Sequence, residues 1–222
     1  MFSSIDQQGR YAYANQPAIA HWNLARLAES LLPLVHDDQD AAIDAVRSVL
    51  DMFPARFERH TLTGARARLG LATAEDGDHA LWNDLLRWMH DTHADFTGTL
   101  AGLAAEAESA DGQGGSDGAE PAGQSAAAAA FAAWRTAWRE RLDREPGGLR
   151  QAVALMRRVN PVVIPRNHRV EEALTSAEAG DMEPFRRLLD AVRAPFVETA
   201  ANEPYRAGAP AGCGRYRTFC GT

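Results

Sequence analysis

Apolar residues recur every three or four positions along most of the chain, which predicts a protein built mainly of α-helices. The first such helix is expected to have Pro17 in its first turn and to kink or end at Pro33. Its apolar positions share one face, and they are Leu24, Leu27, Ala28, Leu31 and Val35. Before this helix, Tyr11 and Tyr13 alternate with alanine, a pattern typical of an extended segment. The chain has no alternating β–α–β pattern and no internal repeat, so the predicted fold class is mainly α.

The same spacing predicts further helices in the first half of the chain. After the acidic residues at 37–40, a second helix is expected to be bent or split at Pro54, and Gly64 is expected to interrupt the helix beyond that proline. A third helix is predicted from about Asp78, with one apolar face that continues to Leu103.

Four helices are predicted in the second half. One follows an alanine-rich stretch and carries Trp134 and Trp138 on its apolar face. A shorter helix stops before Asn160, because the proline that follows disfavours helical backbone at the residue before it. Asn167 is the predicted N-cap of the next helix, and the last helix ends at Pro195.

Residues 104–126 differ from the rest in composition. The stretch 111–121 is rich in glycine and contains no large apolar side chain. It cannot bury enough surface to offset the entropy of ordering, which predicts a flexible insertion. We therefore divide the chain into a helical segment at 1–103, the insertion at 104–126, and a helical extension with an irregular tail at 127–222.

Composition narrows the class of protein. The 222 residues are 45% hydrophobic and carry a formal net charge of −7, which supports a buried core and argues against a nucleic-acid partner. No apolar run approaches the roughly 20 residues of a membrane span, and the N-terminus has no signal-peptide pattern. We expect no membrane partner and a location in the bacterial cytoplasm.

The chain contains no lysine, and all of its 23 basic residues other than histidine are arginines. A Schiff-base lysine, a P-loop lysine and a kinase-type lysine on the phosphates are therefore all excluded from this chain. No Gly-x-Ser-x-Gly elbow is present either. We expect no catalytic residue and no cofactor-binding residue in this chain.

Three histidines, His79, His90 and His93, lie near aspartates in the predicted third helix. His90 and His93 are one helical turn apart and are a candidate pair of metal ligands. Zinc sites use three or four ligands with a supporting shell, and no cysteine is in range. A solvated helix end is the favoured interpretation, so no metal ligand is assigned.

Two other patterns admit a functional interpretation. The glycines of 112–118 resemble a phosphate loop, but a strand before it and a lysine are lacking, so a linker is favoured. Trp134 and Trp138 alternate with arginines, as on a surface that binds single-stranded nucleic acid. Their spacing of four is also that of a core helix, which is favoured, with the arginines as its solvated face.

Both cysteines, Cys213 and Cys220, lie within the last ten residues. They are too few for a disulfide scaffold, so a reducing compartment is expected. The six-residue gap allows a bridge between them, and either can equally be an inert thiol. Cys220 is followed by two residues only, and this position favours an exposed, redox-responsive thiol.

Several stretches resemble the SelO/YdiU family, also called UPF0061. The resemblance is carried, in order along the chain, by Ser4–Tyr13, Asn15–Ala20, Trp22–Ala28, Asp95–Thr99, Asn160–Glu171 and Tyr216–Thr222. The matching stretches span nearly the whole chain apart from the predicted insertion.

The resemblance implies a protein adenylyltransferase with a pseudokinase fold. Such an enzyme transfers AMP from ATP to Ser, Thr or Tyr hydroxyls of protein substrates (AMPylation) with Mg²⁺ or Mn²⁺. The family also carries a redox-responsive C-terminal cysteine, which here matches Cys220. The family's partner position for a disulfide lies near Phe2, which is not cysteine, so Cys213 is left as a local alternative.

The chain departs from the family in one respect. The resemblance implies that the glycine-rich loop, the lysine with its glutamate partner and the metal-binding residues lie before Met1. We therefore expect a truncated C-terminal portion that lacks the kinase-like lobe, binds neither ATP nor metal, and is inactive alone. The alternative is a non-catalytic helical interaction module with a redox-responsive terminal thiol. On the first interpretation, Tyr11, Tyr13 and Trp22 should be unusually exposed.

Overall fold

The computed structural model describes residues 9–10, 12–109 and 122–210, with side chains of the last range described from residue 126. These residues are mostly helical and contain no β-strand, which confirms the predicted mainly α fold. The α-helices are α1 (Gln16–Val35), α2 (Gln39–Leu50), α3 (Phe53–Arg68), α4 (Asp78–Thr92), α5 (Phe96–Glu108), α6 (Ala122–Leu142), α7 (Gly148–Val159), α8 (Asn167–Glu178) and α9 (Glu183–Arg193). Short 3-10 helices occupy Tyr13–Asn15 and Glu203–Tyr205. Within these described parts, no helix is both long enough and apolar enough to cross a bilayer.

The chain divides into two compact units, and the division falls inside α3. The first unit comprises residues 1–61 together with 214–222, and the second comprises residues 62–213. Both cysteines lie outside the described residues, so their predicted redox role stays a prediction. The division into 1–103, 104–126 and 127–222 also stays a prediction, although α5 and α6 extend helix into both ends of the middle range.

The first unit consists of α1, α2 and the first part of α3. The helix α1 begins as the sequence predicts, with Pro17 in its first turn, and it continues two residues past Pro33. The side chain of Asp38 caps α2 by accepting a hydrogen bond from the Ala41 amide at 2.9 Å. The predicted break at Pro54 occurs, because α2 ends at Leu50 and the proline occupies the second position of α3, where its missing N–H costs no helical bond.

The core of the second unit is built by α4, α5, α6 and α7. Trp138 and Leu85 are fully buried there, and Trp134 is 6% exposed. The indoles of Trp134 and Trp138 stack with centroids 5.4 Å apart. The indole N–H of Trp138 donates to the carbonyl of Leu69 at 2.9 Å, so this polar atom is satisfied inside the core. The core assignment of both tryptophans is thereby confirmed.

Three local predictions for the first half of the chain differ from the structure. The third predicted helix is interrupted at His93, which adopts a left-handed conformation with φ 54° and separates α4 from α5. Gly64 does not interrupt α3, which runs through it from Phe53 to Arg68, because a glycine inside a helix costs only about 1 kcal/mol. Tyr13 is not extended but opens the first 3-10 helix, with the Asn15 side chain donating to the carbonyl of Gly9 at 2.9 Å.

The C-terminal helices follow the predicted order. The helix α7 ends before Asn160, and residues 161–166 are irregular. Asn167 is the first residue of α8 rather than its N-cap, a position that Arg166 occupies. Between α8 and α9, Gly180 has φ 93°, and Asp181 accepts a hydrogen bond from the Glu183 amide at 3.0 Å.

Truncation of the core should lower the stability of the second unit. Leu85→Ala is expected to reduce the free energy of unfolding by about 2–5 kcal/mol, because it leaves a cavity in the core that contains both tryptophans. Arg87→Ala is the matched control on the same helix, since its side chain is 71% exposed; there we expect a change within about 0.5 kcal/mol. Urea denaturation followed by tryptophan fluorescence measures both, and equal losses would contradict the core assignment.

Candidate functional site

The first unit has an open apolar groove between its helices. One wall is formed by the predicted stripe of α1, and the other by α2 and the start of α3. Its volume is about 430 Å³. Arg56 is the one charged side chain among the described residues that line it. The groove is lined by Leu24, Leu27, Ala28, Leu31, Val35, Ala45, Val46, Val49, Leu50, Phe53 and Arg56.

Large apolar side chains around this groove remain in solvent. Leu27 is 54% exposed, Leu34 83% and Val49 58%. Among the described residues of this unit, Ala42 alone is buried. A stripe with i, i+3, i+4, i+7 spacing normally packs on a core, and apolar patches of this kind mark interaction surfaces. We refer to the groove, together with the exposed side chains of Leu34 and Met52 in the same unit, as the apolar face.

Aromatic residues at the start of α1 are exposed as well. Tyr13 is 69% exposed and Trp22 48%, as expected for both, whereas Tyr11 lies outside the described residues. The guanidinium groups of Arg10 and Arg26 lie 4.7 and 5.5 Å from the centroid of the Trp22 ring. These distances are those of cation–π contacts, which hold the indole without removing it from solvent.

A buried charged cluster links three parts of the second unit. The Nε of Arg141 donates to Oδ1 of Asp78 at 2.8 Å, and its Nη1 donates to Oε1 of Glu145 at 2.8 Å. Its Nη2 donates to the carbonyl of Thr73 at 3.0 Å. Glu145 also accepts from the Ala72 amide at 2.9 Å. The cluster therefore connects α6 to the start of α4 and to the loop between α3 and α4.

The carboxylates of this cluster are held in their charged form. Burial by itself raises the pKa of Asp78, but hydrogen bonds from Arg141, from the Glu75 amide and from Arg66 outweigh it, so the pKa lies below its usual value. Burial likewise opposes ionisation of Glu145, and hydrogen bonds from Thr73, Ala72 and Arg141 hold its pKa below the usual value. Such a saturated cluster is typical of a structural brace rather than an acid–base catalyst.

The prediction that the arginines of α6 form a solvated face is wrong for Arg141, which is 3% exposed. Two other arginines of α6 also have partners within the fold. Arg135 forms an ion pair with Glu106 at 2.9 Å, and Arg139 donates a hydrogen bond to the carbonyl of Glu106. The spacing from Trp134 could have predicted that Arg141 is buried. Arg141 follows Trp134 at i+7, on the buried stripe of the helix, and Glu145 follows in the turn after α6.

Two of the stretches that carry the family resemblance meet in the second unit. Asp95 caps α5 by accepting a hydrogen bond from the Gly98 amide at 2.6 Å. Arg166, at the start of α8, donates to both Asp95 carboxylate oxygens at 2.8 Å. The hydrogen bond from Arg166 is the main cause that holds the pKa of Asp95 below its usual value. Sequence reasoning singled out both stretches but not their contact.

The histidines of α4 do not converge. His90 contacts the neighbouring Asp91 at 3.1 Å, and His79 contacts Asn83. Across the described ranges, no three side chains of His, Cys, Asp or Glu lie where they could hold a metal ion together.

In the residues that the structure describes, these features define a helical protein with a packed core in the second unit and an open apolar face in the first. The family model described as protein adenylyltransferase SelO matches residues 2–193. The chain therefore belongs to the SelO family.

Relatives described as protein nucleotidyltransferase YdiU support the same assignment. The relative from Cereibacter sphaeroides strain KD131 is 49% identical over 223 aligned residues, which cover 100% of this chain and 44% of the relative. The relative from Mycobacterium sp. strain KMS is 48% identical, with 100% and 43% covered. The relative from Geobacillus kaustophilus is 44% identical, with 100% and 44% covered. This chain thus spans less than half the length of these relatives.

Loss of Arg141 should destabilise the fold in a pH-dependent way. Arg141→Met is expected to lower the free energy of unfolding by about 3–5 kcal/mol at pH 7, because buried carboxylates lose their partner. A carboxylate whose pKa is lowered by folding stabilises the fold above its unfolded pKa, and this contribution is lost as the pH falls through the folded pKa. The difference between variant and wild type should therefore shrink below about pH 4.

Urea denaturation at several pH values measures this effect. Arg144→Met serves as the control, since Arg144 is exposed and pairs with Glu75 at the surface, and its effect should be much smaller. A large difference for Arg141→Met that stays constant from pH 7 to pH 3 would contradict the assigned charges.

Proposed function

We propose that this chain is the C-terminal helical part of a SelO-type protein nucleotidyltransferase and acts only together with the rest of that protein. The family match and the coverage of about 44% of the relatives support this proposal. The observation that carries it is the apolar face. A unit in which Ala42 is the one buried residue among those described has most of its apolar surface available for another part of the protein.

The activity implied by the family is transfer of AMP from ATP to hydroxyl groups of proteins with Mg²⁺ or Mn²⁺. Nucleotide transfer depends on cationic groups and metal ions positioned around the phosphates. This chain has no lysine, and its described residues offer no ligand set that fits such a metal ion. We therefore derive no metal-dependent step of the reaction from these residues. We assign the nucleotide site to the part of the full-length protein that corresponds to the uncovered part of the relatives.

The role of this chain is then to support that part through the apolar face. The exposed leucines of α1 face the groove together with side chains of α2, so a partner that covers them removes a continuous apolar surface from water. The occupant is the kinase-like part of the same protein. The relatives are more than twice as long as this chain, which leaves ample chain to cover the surface.

The 222-residue chain alone should not transfer AMP. Incubated with radiolabelled ATP, Mn²⁺ or Mg²⁺ and a mixture of acceptor proteins, it is expected to give no labelled product above background. The full-length Cereibacter sphaeroides relative is the positive control. Labelling of the chain itself or of an acceptor by this chain would overturn the proposed division of labour.

A charge on the apolar face should weaken association with the kinase-like part. The probe is the part of the Cereibacter sphaeroides relative that this chain does not match, titrated calorimetrically with the wild-type chain. Leu31→Glu should weaken binding by at least about tenfold, because an unpaired carboxylate becomes buried. Leu174→Glu is the matched control, since Leu174 is 44% exposed and Leu31 41%, but Leu174 lies on α8, outside the apolar face.

The same titrations distinguish the kinase-like part from other partners that could cover the apolar face. Equal binding by Leu31→Glu and the control would contradict docking through this face. Self-association of the wild-type chain that Leu31→Glu abolishes, without binding of the probe, would assign the face to a second copy. Binding of an unrelated protein in place of the probe would instead favour the free-standing interaction module.

A further inference from the structure

The C-terminal segment, residues 195–210, contains no fully buried apolar side chain. Asn202 is the one residue of this segment that is buried, while Phe196 is 45% exposed and Val197 56%. The side chain of Asn202 closes a local turn by donating to the carbonyl of Val197 at 2.6 Å. Apolar packing of the segment is therefore only partial, and polar contacts help to fix its position.

Those contacts come from two arginines, one directly before α8 and one in its first turn. The Nη2 of Arg166 donates to the carbonyl of Arg206 at 3.0 Å, and the Nη2 of Arg169 donates to the carbonyl of Pro204 at 3.1 Å. At the start of the segment, the carbonyl of Pro195 accepts from the Val162 amide at 2.7 Å. Pro204 lies within the 3-10 helix Glu203–Tyr205, and Arg206 directly follows it.

Arg166 is the better fixed of the two arginines. Its guanidinium donates two hydrogen bonds of 2.8 Å to the Asp95 carboxylate, and its side chain is 10% exposed. Asp95 is in turn fixed by the Gly98 amide at the start of α5. The backbone of the segment also passes close to this pair, because a Cβ built on Gly208 would lie 3.6 Å from Oδ2 of Asp95.

We infer that Arg166 is a positioning residue that latches the C-terminal segment to α5 through Asp95. A bidentate guanidinium–carboxylate pair has a defined geometry, so Asp95 fixes the orientation of the Arg166 guanidinium. The third hydrogen bond of Arg166 then holds the backbone of Arg206 at a defined position relative to α5. Breaking the pair releases residues 198–210 as a local unit while the core helices stay folded.

Hydrogen–deuterium exchange of the full chain tests the latch. In Arg166→Gln, exchange of the amides of Tyr205 and Arg206 should accelerate by about tenfold or more, because a charged hydrogen-bond network is lost. In the wild type these amides donate to the carbonyls of Asn202 and Glu203 at 3.0 and 3.1 Å. Exchange in α4 and α6 should stay unchanged.

Two further variants separate the latch from helix capping. Asp95→Asn keeps an N-cap acceptor for the Gly98 amide but loses the charge, so residues 198–210 should exchange faster while the first turn of α5 stays protected. Arg166→Lys keeps the charge but loses the fork, and it should release the segment as well. Arg187→Gln is the control, because Arg187 forms an exposed pair with Glu183 within α9.

The outcomes are decisive in each case. Unchanged exchange of residues 198–210 in Arg166→Gln overturns the latch. Faster exchange throughout the second unit, or an equal effect of Arg187→Gln, also overturns it, because the segment would then report general destabilisation. Faster exchange confined to residues 198–210 in all three latch variants supports it.

Discussion

The buried guanidinium of Arg141 is the group on which the second unit depends. It is surrounded by Asp78, Glu145 and the backbone of Thr73, so every charge in this cluster has a partner within hydrogen-bond distance. Charges taken out of water are tolerated only when they are paired in this way. The consequence is that α6, the start of α4 and the loop between α3 and α4 have one mutual arrangement.

The tryptophans of α6 complete that arrangement. The indole N–H of Trp138 donates a hydrogen bond to the carbonyl of Leu69, and that of Trp134 donates to the carbonyl of Leu81. Each ring thus supplies apolar area to the core while its own N–H finds a hydrogen-bond acceptor there. Charged and aromatic residues of one helix therefore determine the positions of the elements on both sides of it.

The first unit follows a different principle. Its helices are amphipathic too, yet the apolar stripe of α1 lines an open groove instead of a closed core. Amphipathic spacing states only that a face must be covered, and it does not identify what covers it. In a chain that spans less than half the length of its relatives, the proposed cover is another part of the same protein.

The sequence by itself determined the helical class, the positions of most helices and the family. Periodic apolar residues, prolines and caps act locally, so the break at Pro54 and the start of α4 at Asp78 could be predicted from neighbouring residues. Only the tertiary structure decided that Arg141 is buried, that Asp95 meets Arg166 across 71 residues, and that the stripe of α1 is uncovered. These depend on which distant segments meet, and the free energy of a buried charge or an exposed leucine is set by those neighbours rather than by its position in the sequence.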